Sequence, residues 1–141
     1  MKKLINTAFT YAILGMCGGV FYREFTKFNN FDSRTSLGFV HLHLLVLGMF
    51  FFLIIALFEK QYNLTHHKRF NLFYLLYNLG LGISAVTFLV RGIIQVLALN
   101  VSTAISASLS GVAGIGHAVL GVGIIFFFVI LKNKALHTSK K

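Results

Sequence analysis

The chain has 141 residues and a mass of 15.7 kDa, the size of one modest domain. Hydrophobic residues make up 57% of it and charged residues only 11%, where a soluble domain carries about a quarter charged residues; an ordinary soluble domain is excluded. Thirteen Lys and Arg against three acids leave a charge of +10, but the bases sit at the ends of apolar runs, so the charge reads as a topology signal and not as a nucleic-acid surface.

Four apolar stretches reach the roughly 20 residues that a helix needs to cross a bilayer. They cover residues 4–22, 37–58, 71–98 and 111–131. The first follows Met1-Lys2-Lys3 and ends near Leu14-Gly15-Met16-Cys17. A methionine in place of a small residue before Cys17 argues against lipoprotein cleavage, so this span is expected to be retained. The second carries no Lys, Arg, Asp or Glu, the third carries only Arg91, and the chain has no proline to break any of them. Helices satisfy every backbone polar group within the segment, as lipid demands.

Nine bases lie on one side of this arrangement: Lys2, Lys3, Lys60, Lys68, Arg69, Lys132, Lys134, Lys140 and Lys141. Three, Arg23, Lys27 and Arg34, lie on the other with Glu24 and Asp32. The positive-inside rule then places both termini and the Glu59–Arg69 loop in the cytoplasm, with Arg23–Ser36 and Asn100–Ser110 outside. The expectation is an all-α integral membrane protein in a bacterial plasma membrane. It is an up-down four-helix bundle forming a single domain over residues 1–141.

Ionisable groups inside spans are costly and ordinarily face the bundle interior. The candidates are His41, His43, Arg91 and His117. At about 1.5 Å of rise per residue, His41 lies roughly 6 Å deep and Arg91 and His117 roughly 9 Å deep. Three helices thus bring two imidazoles and a guanidinium to one layer. His117 shares a small-residue stripe with Ser110, Gly114 and Gly121, and His41 shares a face with Gly48, seven residues on. Asn78, Ser84, Thr87, Arg91 and Gln95 make the third span polar along one side. His43 lies about 200° around the helix from His41, so His41 is expected to face inward and His43 to be an alternative ligand or a supporting group.

Across a bundle diagonal of about 14 Å, His41 and His117 suit axial ligation of one haem b. Glycines 114, 116, 121 and 123 would make room for the ring, Gly15, Gly18 and Gly19 would close the helix-one edge, and Arg91 would pair with the propionates. With both axial positions filled, the role is electron transfer, haem relay or redox sensing, and any enzymatic character is that of an oxidoreductase-type electron carrier. A second class is a copper-binding or copper-transfer protein using His41, His43 and His117 with Met16 or Cys17. A third is a non-catalytic accessory subunit of a membrane complex, its polar residues pairing helices. The partners implied are the lipid bilayer and a redox partner or a second copy, with no nucleic acid. His66, His67 and His137 read as solvated or facing lipid headgroups. The single Cys17 excludes a disulfide framework and a cysteine-based zinc site, and no phosphate loop is present.

The run Gly38-Phe39-Val40-His41-Leu42-His43-Leu44-Leu45-Val46-Leu47-Gly48 resembles the low-spin haem-ligand helix of haem-copper oxidases, in the cbb3 and nitric oxide reductase branch. There the ligand histidine precedes a glycine by about two turns, as His41 precedes Gly48. The likeness covers one helix of the roughly twelve in those enzymes and implies no oxygen or nitric oxide reduction. Four segments, Phe21–Lys27, His41–Gly48, Val90-Arg91-Gly92 and Gly114-Ile115-Gly116-His117, are similar to an uncharacterised bacterial family of short four-helix membrane proteins.

Overall fold

The computed structural model describes the backbone of residues 1–138 and side chains up to residue 136. The side chain of His137, and Lys140 and Lys141 of the expected basic tail, lie outside the described residues. Four long helices account for nearly all of the chain: α1 (Lys2–Phe28), α2 (Leu37–Tyr62), α3 (Phe70–Val96) and α4 (Thr103–Thr138). By length and composition all four are apolar enough to cross a membrane.

The helices outrun the apolar stretches. α1 continues through Arg23, Glu24 and Lys27, and α4 begins eight residues before the expected span, taking in most of the expected Asn100–Ser110 loop. That extension follows from local chemistry. Ser102 accepts the Ile105 N–H at its hydroxyl (3.3 Å) and the Ser106 N–H at its carbonyl (3.1 Å), which starts a helix on Thr103. The alanines and leucine that follow are good helix formers. Asn63, in the left-handed conformation at φ 50°, ends α2. Glu59 then holds the turn to α3 by accepting the backbone N–H and the hydroxyl of Thr65.

Consecutive helices run antiparallel. Gly15 faces Leu45 and Gly48 faces Tyr11, which ties α1 to α2. Gly80, Gly116 and Gly123 let α3 and α4 approach backbone to backbone. α2 leans across the bundle. Its first residues pack on α3, with Leu37 on Gly92 and with Val40 and Leu44 beside Ala85. Its second half reaches α4 through Phe51 and Phe58 on Phe127. One apolar core of Leu4, Phe52, Ile55, Phe73, Tyr77, Leu81, Phe127 and Ile130 fills the end that carries the termini.

Within α2, His43–Phe50 forms wider π-helical turns, a rare element that often accompanies function. Tyr77 of α3 donates from its hydroxyl to the Leu47 carbonyl in that segment at 2.8 Å, and its ring stacks on Phe51 at 4.5 Å. Replacement of Tyr77 by Phe keeps the ring and removes the donor, so it is expected to cost about 1 kcal/mol. Thermal unfolding in detergent measures this, and a variant as stable as the parent refutes the bracing role.

Candidate functional site

The polar groups of the helices follow two patterns. Most are consumed in joining helices. Tyr11 donates to Asn78 Oδ1 (2.7 Å), Thr7 and Tyr74 share a hydrogen bond (2.6 Å), and Gln95 Oε1 accepts from the Ser36 N–H (2.7 Å) and the Thr35 hydroxyl (3.1 Å). Thr87 returns its hydroxyl to its own helix. The polar side of α3 therefore binds α1 and the α1–α2 loop, a role that its periodicity alone does not distinguish from lining a cofactor site.

The histidines depart from this pattern. His43 on α2 and His117 on α4 meet with ring centroids 6.1 Å apart and planes at 82°. Each Nδ1 lies 2.8 Å from the carbonyl one turn earlier on its own helix, Phe39 for His43 and Ala113 for His117. A carbonyl only accepts, so Nδ1 donates in each bond, and in the neutral imidazole Nε2 is left with the lone pair. That fixed tautomer is the state in which an imidazole ligates a metal. A metal about 2.0–2.1 Å from each nitrogen holds two opposed imidazole centroids about 6 Å apart. The Phe88 ring stands beside the pair, 4.8 Å from His43 and 5.6 Å from His117.

Arg91 donates from Nη2 to the Ser110 hydroxyl at 2.6 Å. Ser110 lies seven residues before His117 on the same face of α4, about 10 Å along the axis. A guanidinium thus stands two turns from the imidazole pair, toward the end that carries the α1–α2 and α3–α4 loops.

The expected pair was His41 with His117; the pair brought together is His43 with His117. His41 lies against α1, its ring packed over Gly19 and stacked near Tyr22 at 6.1 Å and 15°. The reason is Gly48. Its spacing from His41 suggests the bundle interior, but a Cβ there would meet the Tyr11 ring at 2.5 Å, so the face shared by His41 and Gly48 is the α1 contact. The expected room for a ring divides likewise. Gly116 and Gly123 are filled by Ile83, Ser84 and Tyr77 of α3, while Gly114 and Gly121 face open space.

The copper arrangement is not assembled: among the described residues no three His, Cys, Asp or Glu side chains converge as a metal-binding group. His41 is turned to Tyr22, Cys17 is exposed, and Met16 is exposed as well. In the α2–α3 turn, His66 is exposed and His67 half-buried. Burial first, and then the charges of Lys134, Arg69 and Lys68, hold His67 below the ordinary imidazole pKa. Its neutral Nδ1 accepts the Arg69 N–H at 3.2 Å. Sequence reasoning misses Phe88, which no polar signal marks, and the clamp of Gln95 on the loop.

A family model described as "Protein of unknown function (DUF2871)" matches residues 1–134. No curated protein and no solved structure matches the chain.

Proposed function

We propose that this chain, which belongs to the DUF2871 family of proteins of unknown function, is a membrane b-type haem protein in electron transfer, haem relay or redox sensing. The observation that carries the reading is the His43–His117 pair: two imidazoles from different helices, with ring centroids 6.1 Å apart, each with Nδ1 tied to backbone and Nε2 without a hydrogen bond among the described residues. That donor set would suit a haem iron held by two imidazoles. His43 and His117 would hold the iron, and Arg91 would pair with the propionates. Phe88 stands beside the rings, so entry of a macrocycle would require it to move. When bound, the haem supplies one-electron chemistry. The protein fixes the tautomer of each ligand; His43 is half-buried and His117, expected to face the bundle interior, is exposed on its outside.

The likeness of α2 to the haem-ligand helix of haem-copper oxidases gives a second assignment, in which His41 is the α2 ligand. The ring separation favours His43. Membrane insertion belongs to the same proposal. Large apolar side chains such as Leu57 (72% exposed) and Phe9 (66%) cover the outside of the bundle, far more apolar surface than a soluble monomer presents. Lys2, Lys3, Lys60, Lys68, Arg69, Lys132 and Lys134 gather at the end that carries the termini. By the positive-inside rule that end is cytoplasmic.

The test is a reduced-minus-oxidised absorption spectrum of detergent-purified protein after expression with haem supply. A Soret band with sharp α and β bands in the reduced form is expected. Colourless protein that takes up no added haemin overturns the reading. Copper in metal analysis of such protein supports the copper-binding alternative, and metal-free protein supports the accessory subunit.

A further inference from the structure

The α2–α3 turn concentrates positive charge at the end of the bundle that carries the termini. His66, His67, Lys68 and Arg69 follow one another there. The turn is pinned at both ends, since Leu64 and Phe70 are buried in the apolar core with Ile130 of α4. Lys134 lies one helical turn beyond Ile130, on the same face of α4, and its charge acts on His67. Between the two anchors the backbone is held. His67 donates its N–H to the Leu64 carbonyl (3.0 Å), and it accepts the Phe70 N–H at its own carbonyl (2.9 Å) and the Arg69 N–H at Nδ1 (3.2 Å). Of the chain's three acidic side chains, Glu59 lies at this end, buried, with both carboxylate oxygens given to Thr65. Glu24 and Asp32 belong to the opposite end. Lys68 and Arg69 are exposed and form no ion pair among the described residues.

We propose that this turn binds the phosphate headgroup of an anionic phospholipid through Lys68 and Arg69, with the charge of Lys134 adding to theirs. Cations on a fixed turn that meet no carboxylate suit an oxyanion, and the Arg69 fork can take two phosphate oxygens at once. Basic groups beside a membrane attract anionic lipid in this way. The surroundings favour lipid over a free phosphate. Leu72 and Leu75 of α3, four and seven residues after Lys68, are exposed, so an apolar surface along which acyl chains can lie begins within a turn of the cations. A nucleic acid matches the cations but not the apolar surface beside them. The site rests on the membrane insertion proposed above and is independent of haem.

Native mass spectrometry of the full-length protein in neutral detergent, titrated with equal amounts of dioleoylphosphatidylglycerol and dioleoylphosphatidylcholine, tests this. Preferential retention of phosphatidylglycerol is expected. A basic residue next to an anionic membrane is worth about fivefold in binding, so Lys68→Ala combined with Arg69→Ala is expected to lower the preference by about fivefold or more. Arg23→Ala combined with Lys27→Ala removes the same charge at the opposite end and is expected to keep it. All four side chains are exposed, so both double variants are expected to fold, which circular dichroism checks. Equal retention of the two lipids, or equal loss of preference in the two double variants, overturns the proposal. So does displacement of the lipid by inorganic phosphate or by a single-stranded oligonucleotide at matched phosphate concentration, which would give the site to those anions. Carbonate washing of membranes from expressing cells reads insertion separately. Protein released by the wash sinks the membrane reading and this site with it; protein that stays in the membrane without a lipid preference sinks this site alone.

Discussion

Under the haem proposal, alanine at His117 or at His43 is expected to remove the Soret band of the purified protein, and alanine at His41 to leave it in place. The first two outcomes follow from the geometry of the pair. With each Nδ1 proton on a backbone carbonyl 2.8 Å away, the rings have one lone pair apiece to offer, and removal of either ring would leave the proposed iron with a single imidazole. Ligands of this kind are held by neighbours that fix the ring and tautomer, and loss of such support already costs about 10–100-fold in metal affinity. Loss of the ligand itself is therefore expected to lower haem content at least tenfold. The third outcome separates His43 from His41 as the α2 ligand. Pyridine haemochrome analysis of the three variants, with helix content checked by circular dichroism, supplies the measurement. Retention of haem in both His117→Ala and His43→Ala refutes the pair; loss only in His117→Ala and His41→Ala restores the assignment drawn from the His41–Gly48 spacing.

The number and positions of the helices were legible because lipid-length apolar runs are the strongest pattern a sequence can carry. Their ends were not. Hydropathy marks where a helix is greasy, whereas capping decides where it stops, and Ser102 starts α4 eight residues ahead of the apolar run. The four ionisable residues were equally plain from their cost in a span. Their pairing was hidden because both available cues are ambiguous. Glycine marks close approach without naming the neighbour: Gly48 received Tyr11 of α1, and Gly116 received Ile83 and Ser84 of α3. Helical periodicity also assumes uniform turns, and α2 departs from them at His43, where the π-helical segment begins. Arg91 illustrates a third gap. Its depth was read from α3 alone, but its partner Ser110 belongs to a stretch of α4 expected to be loop.

A methyl group at Gly80 is expected to be among the most damaging small changes in the chain, and the same change at Gly111 among the least. A Cβ at Gly80 would run into the Leu120 backbone nitrogen and lie 2.7 Å from the Leu120 Cα and 2.9 Å from the Gly116 carbonyl oxygen. These are backbone atoms of α4 in the middle of its contact with α3, so no side chain can rotate away and the helices must part. Overpacking of this kind costs about 1–3 kcal/mol, and separation also withdraws the many small contacts that hold helices together in lipid. A methyl group at Gly111, on the same helix α4, would have nothing within 4 Å, and there alanine gains up to about 1 kcal/mol of helix propensity. Unfolding in graded sodium dodecyl sulfate measures both. The Gly80 variant carries a second consequence, because Leu120 and Gly116 flank His117. Movement of α4 shifts that imidazole away from His43, so Gly80→Ala is expected to lower haem content together with stability, and Gly111→Ala to change neither downward. Equal behaviour of the two variants would show that close approach of α3 and α4 is not what positions His117.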